Sequence, residues 1–349
     1  MKTISTLILS ILLIAFMVSA CNNSPKSLSK TTPAQVSDFL GQWTLTIDGG
    51  WVGWLEVRQE GGYLDADLLW KWGSVSPVAH VYLQGDQLFA TRVGSFVRKK
   101  DAQGNILREH VPTSTLAVSR DGETINGFFL EPKADGTGVD SSAFTGVLLP
   151  DVPAAPDLTN LKWGEPIPLF NGKDLTGWKL INEGQVNGFS VIDGILVNDP
   201  VQPENGEHLN YGNLRTEKEF EDFNLKLEVN VPPGSNSGIY LRGIYEIQVI
   251  DSYGKPLDSH YMGGVYSRIT PSVNAEKPAG EWQSMDITLC DRHITVILNG
   301  VNIIDNQPVY GPTGGALHAD VFRPGPIYLQ GDHGKVLYRN IVLTPILKD

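Results

Sequence analysis

The stretch Asn-Ser-Gly-Ile-Tyr-Leu-Arg-Gly-Ile-Tyr-Glu-Ile-Gln-Val-Ile-Asp, residues 236–251, constrains the chain more than any other. At period two it divides into two faces. Ile239, Leu241, Tyr245, Ile247 and Val249 share one. Tyr240, Arg242, Glu246 and Gln248 share the other, with Ile244 and Ile250 among them. The first face suits the core side of a sheet. The second sets a phenol, a cation, an anion and an amide in a row, with neighbours about 7 Å apart because each strand residue rises about 3.3 Å. A strand inside a sheet is expected. Gly243 is the position where a bulge or turn would shift the register and carry Arg242 off the face of Glu246.

The rest of the chain predicts an all-β protein. Helical periodicity is almost absent, while 37 glycines and 22 prolines supply turns. Residues 36–149 read as about eight short strands, with hairpin signals such as Glu60-Gly61-Gly62. A small antiparallel barrel or sandwich is expected there. Its opening, Gly41-Gln42-Trp43, resembles that of lipocalin-like barrels. Five of the eight tryptophans lie between Trp43 and Trp72. They are read as core packing and barrel closure rather than sugar platforms; Leu64, Ala66, Leu68, Trp70 and Trp72 share one face. Residues 150–164 are a Pro-rich linker. Residues 165–349 alternate strand after strand, including a hairpin around Asn299-Gly300, and predict two packed antiparallel sheets in a jelly-roll sandwich.

The first residues carry an address. Lys2, the apolar run from Ile4 to Met17 and Val18-Ser19-Ala20-Cys21 make a secretory signal over residues 1–20. It resembles the bacterial lipoprotein signal, in which the cysteine is acylated; Cys21 is the expected lipidation site, and several acyl chains hold a membrane stably. Residues 21–35 are polar, with two prolines, and read as a tether. Asn22, where an Asp would favour inner-membrane retention, points to an outer-membrane lipoprotein facing the periplasm. Cys290 is then the one free thiol, and reads as a small buried residue. A formal charge of −12 disfavours nucleic acid as a partner.

Several motifs in the second half carry a resemblance. Leu169-Phe170-Asn171-Gly172-Lys173-Asp174-Leu175-Thr176-Gly177-Trp178 opens it. Asn236 to Arg242, Tyr245 to Asp251, Pro271 to Ala275, Lys277 to Trp282, Asn299-Gly300, Leu329-Gln330 and Asp332-His333-Gly334 follow in order. Residues 167–345 thus resemble the 3-keto-disaccharide hydrolase family. The resemblance implies a concanavalin-like jelly roll, a secreted or periplasmic setting and action on oxidised glycosides. Gly331 departs from the pattern, where relatives often run Gln-Asp-His directly, and would push His333 outward.

A 3-keto sugar sets its own chemical demands. The carbonyl acidifies the C2 proton, so a base can remove it, the aglycone can leave by elimination, and water can add back. The route needs a base, a stabiliser for the enolate oxygen and an acid for the leaving group. Glu246 and His333 are assigned as base and acid in either order, and Arg242 as the stabiliser. Tyr240, Gln248, Asp251, Tyr266, Gln330 and Asp332 are expected to bind the substrate, an oligosaccharide or glycoside. A divalent metal ion on Glu246, Gln248 and His333 is a further expectation. Two alternatives stand beside this. One is a conventional two-carboxylate glycoside hydrolase, with Glu228 or Asp251 as second carboxyl. The other is a carbohydrate-binding lipoprotein without catalysis.

Overall fold

The computed structural model describes residues 34–348. The signal, Cys21 and nearly all of the tether lie outside these residues. Among the described residues, β-strands carry the architecture and the helical elements are two short 3-10 turns, Val36–Asp38 and Leu158–Asn160.

Eleven strands make up the first half: β1 (Gly41–Ile47), β2 (Trp51–Glu60), β3 (Tyr63–Trp70), β4 (Ser76–Pro77), β5 (His80–Gln84), β6 (Gln87–Val93), β7 (Phe96–Lys100), β8 (Ile106–His110), β9 (Thr113–Asp121), β10 (Thr124–Pro132) and β11 (Val139–Leu148). Nine of them form one antiparallel sheet in the order β4-β3-β2-β1-β11-β10-β9-β6-β5. The sheet's two ends meet where β3 lies against β5. Apart from the inserted hairpin of β7 and β8 and the seam between β4 and β5, each strand neighbours its successor, and β1 closes on β11 with Trp43 opposite Leu148. This is an up-and-down barrel, which leaves few exposed edges. Its interior is filled by alternate residues, among them Trp43, Leu45, Leu55, Leu68, Trp70, Leu116 and Phe129.

The second half adds β12 (Lys162–Trp163), β13 (Ile167–Pro168), β14 (Trp178–Leu180), β15 (Phe189–Ile192), β16 (Ile195–Asn198), β17 (Leu214–Thr216) and β18 (Phe223–Asn230). It continues through β19 (Asn236–Leu241), β20 (Tyr245–Ile250), β21 (Trp282–Cys290), β22 (His293–Leu298), β23 (Val301–Pro308), β24 (Tyr328–Leu329) and β25 (Val336–Leu347). A nine-stranded sheet runs β15-β16-β25-β18-β21-β22-β23, with β12 and β13 also on β25; a five-stranded sheet runs β14-β17-β24-β19-β20. Their facing side chains, including Leu225 and Val229 of β18 and Ile239, Tyr245, Ile247 and Val249 of the hairpin, form one core. This is the expected jelly-roll sandwich. Cys290 is buried within it, and desolvation pushes its thiol up to about 12.

Residues 236–251 are not one strand. β19 and β20 pair as a hairpin, with Tyr240 opposite Glu246 and Gly238 opposite Gln248. The turn is Arg242-Gly243-Ile244, where Arg242 and Gly243 take φ of 54° and 67°.

The described residues form one compact unit, so the barrel and the sandwich are joined. Val52, Trp54, Leu69 and Leu149 leave the barrel's outer face to join the sandwich core. Trp54 is 2% exposed and lies under the Arg268 guanidinium, 4.0 Å from ring centroid to Cζ. Burial lowers the Arg268 pKa to about 9. Because the halves share buried apolar surface, the protein is expected to melt in one calorimetric transition. Trp54→Ala should destabilise it by about 3–5 kcal/mol while keeping that single transition. A separate early transition for the barrel would contradict the shared core.

Candidate active site

The face of the hairpin opposite the core does not meet solvent directly. It floors a cavity of ≈ 650 Å³, within the range of about 300–1,000 Å³ typical of small-molecule sites. Tyr240, Glu246 and Gln248 line it from the hairpin. Gln330, Asp332 and His333 reach it from the loop after β24, and Tyr266 from the loop after β20. Three elements far apart in the chain therefore converge. The adjacent sheet register explains this, since β24 pairs with β19, Tyr328 opposite Tyr240, and delivers the following loop beside Glu246.

Glu246 is 4% exposed. Desolvation raises its pKa to about 7, against the Tyr240 hydrogen bond and the His333 charge, which favour the carboxylate. The Tyr240 hydroxyl lies 2.7 Å from Glu246 Oε2 and 2.8 Å from the Gly314 carbonyl oxygen. A phenol has one proton and cannot donate to both. A protonated Glu246 resolves the count by donating to Tyr240, which then donates to Gly314. The same pair accommodates a carboxylate when Tyr240 turns its proton to Glu246. The Tyr240 ring is held by stacking on Tyr328, centroids 3.8 Å apart. The carboxyl lies over Gly238, where an added Cβ would come within 2.3 Å of Glu246 Oε1. A side chain there would push the acid out of this position.

His333 has the opposite character. Its Nδ1 donates to Asp332 Oδ1 at 2.7 Å, and its side chain is 41% exposed. That hydrogen bond, with the Asp332 and Glu246 charges, raises its pKa despite partial burial. Asp332 is lowered overall: desolvation opposes its ionisation, but the His333 hydrogen bond and charge prevail. A buried acid poised near neutrality thus shares a cavity with an imidazole biased toward its cation. Such a pair can remove one proton and deliver another.

The family described as 3-keto-alpha-glucoside-1,2-lyase-like domain matches residues 165–344. The chain belongs to this family. Membership makes the second half a carbohydrate-active domain. Comparison with curated proteins gives no match. Among solved structures, two candidate glycosyl hydrolases from Parabacteroides distasonis ATCC 8503 are similar. One is 30% identical over 52% of this chain and 84% of its own, with a TM-score of 0.42. The other is 24% identical over 52% and 94%, with a TM-score of 0.43. A beta-1,3-1,4-glucanase from a mouse hindgut metagenome is 12% identical over 52% and 99%, with a TM-score of 0.31.

The structure of this lyase-like domain moves two predicted residues away from the cavity. Arg242 sits in the hairpin turn, 3% exposed, and its Nε and Nη2 donate to the Arg323 carbonyl at 3.2 and 2.6 Å. It anchors the 323–325 loop and is not available to an enolate oxygen. The cause is the turn at Gly243, which ends the strand one residue before Arg242. Asp251 accepts from the Gly234 N–H at 2.9 Å, tying the end of β20 to the loop before β19. Glu228 is likewise spent, on Arg339 at 2.9 Å. Gly331 does not push His333 outward, because its N–H is held by Asn213 Oδ1 at 2.9 Å and the chain turns back to the cavity.

Sequence reasoning missed other lining residues. Tyr328 carried no polar alternation of its own. Asn236 begins β19, and its Oδ1 is buried without a partner, a free acceptor on the cavity wall. The backbone of Gly314 and Gly315 comes from a loop that no motif marked. Among the described residues, the group of three His, Cys, Asp or Glu side chains that lie close enough together to share an ion is found elsewhere. Glu246, Asp332 and His333 do not bring three ligand atoms within 4.8 Å of one another; Asp222, Cys290 and Asp291 do, outside the cavity. Gln248 is committed too, its Nε2 to the His260 carbonyl and its Oε1 to the Val249 N–H, both at 3.2 Å.

Burying Glu246 has a thermodynamic signature. In the unfolded chain the carboxyl ionises near 4.5, whereas in the fold it stays protonated until about 7. Stability that is complete below 4.5 is therefore lost as pH rises through 7, by about 3 kcal/mol. Glu246→Gln should match the wild type in denaturant unfolding at pH 4.5 and exceed it by about that amount at pH 8. Equal stability at both pH values would show that Glu246 ionises normally.

Proposed function

We propose that this protein cleaves 3-keto-glycosides by elimination, at the cell envelope, tethered through an acylated Cys21. The observation that carries the reading is the pairing of a desolvated carboxyl, Glu246, with the Asp332-held imidazole of His333 in one sugar-sized cavity. The family match supports the substrate class.

The keto-sugar ring lies over the hairpin floor. Glu246, as carboxylate, takes the proton from C2. The C2–H electron pair forms the C1=C2 double bond through the enolate as the C1–O bond breaks. His333, as imidazolium, gives its proton to the departing aglycone oxygen. Water then adds across the double bond, its hydroxyl to C1 and its proton to C2. With Arg242 engaged elsewhere, Tyr266 and Gln330 are the neutral donors on the cavity wall for the enolate oxygen. Asn236 Oδ1 accepts from a sugar hydroxyl.

Incubation with a 3-keto-disaccharide in heavy water should place deuterium at C2 of the released sugar. Glu246→Gln and His333→Ala should each lower turnover by roughly 10²–10⁴-fold with the fold retained. Release without C2 deuterium would exclude elimination. Cleavage of the unoxidised parent alone would reassign Glu246 and Asp332 as a conventional carboxyl pair.

The pH dependence follows from the two groups. The base form of Glu246 appears as pH rises through about 7. The acid form of His333 is lost as pH rises through its own elevated pKa. The profile of kcat/KM should be a narrow bell whose acid limb is set near 7. Activity that rises steadily as pH falls to 5 would remove Glu246 from the role of base.

A further inference from the structure

The barrel's contribution to the cavity is not explained by the lyase-like domain, because the family match begins at residue 165. Trp51, Trp72 and Gly73 nevertheless line that cavity. Alternation along β3 would carry Trp72 into the barrel beside Trp70. Lys71 prevents this by taking φ of 65°, which ends the strand and turns Trp72 outward. Trp70 is 6% exposed and Trp72 58%. Trp51, first residue of β2, is 39% exposed and meets Trp72 edge to face, centroids 4.6 Å apart and planes at 60°.

The loop carrying Trp72 is fixed to the sandwich by hydrogen bonds at Lys71, Ser74 and Val75. The Gly315 N–H donates to the Lys71 carbonyl at 3.1 Å, and the Val75 N–H to Ser267 Oγ at 2.9 Å. Ser74 Oγ lies 2.8 Å from His260 Nε2, and His260 Nδ1 lies 2.6 Å from Asp258 Oδ1. The carboxylate fixes the proton on Nδ1, so Nε2 accepts from the serine hydroxyl. The arrangement has the order of a nucleophile relay, but Ser74 does not line the cavity, and here it clamps the loop. A Cβ on Gly314 would come within 2.3 Å of the Gly73 carbonyl, so barrel and sandwich backbones touch at the site itself.

We propose that Trp51 and Trp72 form the leaving-group subsite, and that the barrel thereby selects glycosides whose aglycone is a ring. This rests on the elimination reading for the position of the cleaved bond. The hairpin side holds the proton-transfer groups and so the keto ring. The barrel side offers two large aromatic surfaces and no charged group among the three residues it presents beside them, Gly49, Gly50 and Gly73. An aromatic face attracts the C–H-bearing face of a second sugar or a planar aromatic ring through dispersion and its quadrupole. A methyl aglycone has too little surface to gain from it.

The test compares 3-keto-glucosides bearing methyl, glucosyl and phenyl aglycones on the full chain. In Trp72→Ala, and in Trp51→Ala, the preference for ring aglycones over methyl, as a ratio of kcat/KM, should fall about tenfold. Loss for glucosyl alone assigns the wall to sugars, and loss for phenyl alone to aromatic aglycones. An unchanged ratio for both overturns the proposal. Binding separates this failure from failure of the elimination reading. Calorimetric titration of unoxidised glucosyl- and phenyl-glucosides should show Kd raised about tenfold in Trp72→Ala, whether or not wild type cleaves any 3-keto substrate. Unchanged Kd for both overturns the subsite. Tyr82→Ala, an exposed barrel aromatic outside the cavity, is the control for nonspecific effects.

Discussion

Everything at the site depends on one cross-strand pair, Tyr240 opposite Glu246. The pair puts a phenol against a carboxyl in a place water barely reaches. Burial there raises the cost of charge on Glu246, while the phenol gives that charge one directed hydrogen bond. The core face of the same hairpin, Ile239 with Ile247 and Leu241 with Tyr245, fixes the register. A slip of one residue would bury the acid in the sandwich core, so packing on one side enforces chemistry on the other.

That geometry was partly legible in the sequence, for a reason independent of the topology first inferred. In an antiparallel hairpin, directly opposed residues share a face. Tyr240 and Glu246 are six apart, an even number, so they share a face whether the segment is one strand or two. Period-two reading therefore found the right neighbours through the wrong path. Arg242 and Ile244 are the exceptions because they sit in the turn, where alternation has no meaning. Gly243 signalled that break, and its φ of 67° is the left-handed geometry a turn needs.

Other features had no local signature. His333 reaches Glu246 only because β24 pairs with β19, a contact across about ninety residues that no spacing rule encodes. The outward turn of Trp72 depends on φ of 65° at Lys71, a residue whose type gives no warning of it. Of the five clustered tryptophans, Trp43, Trp54 and Trp70 are buried as expected, while Trp51 and Trp72 are not. Trp54 is buried against the sandwich rather than inside the barrel, and composition cannot distinguish those two fates.

The Pro-rich segment reads as a linker, and the halves on either side of it share buried side chains and backbone contacts. This matters for the acid. Glu246 is shifted mainly by desolvation. The roof is the loop through Gly314, whose carbonyl faces the Tyr240 hydroxyl and whose backbone rests on Gly73 of the barrel. The neighbouring Gly315 N–H is tied to Lys71. The barrel thus packs on the loop that hydrogen-bonds Tyr240 beside the carboxyl. The barrel, outside the matched family region, therefore contacts the surroundings of Glu246 through this loop.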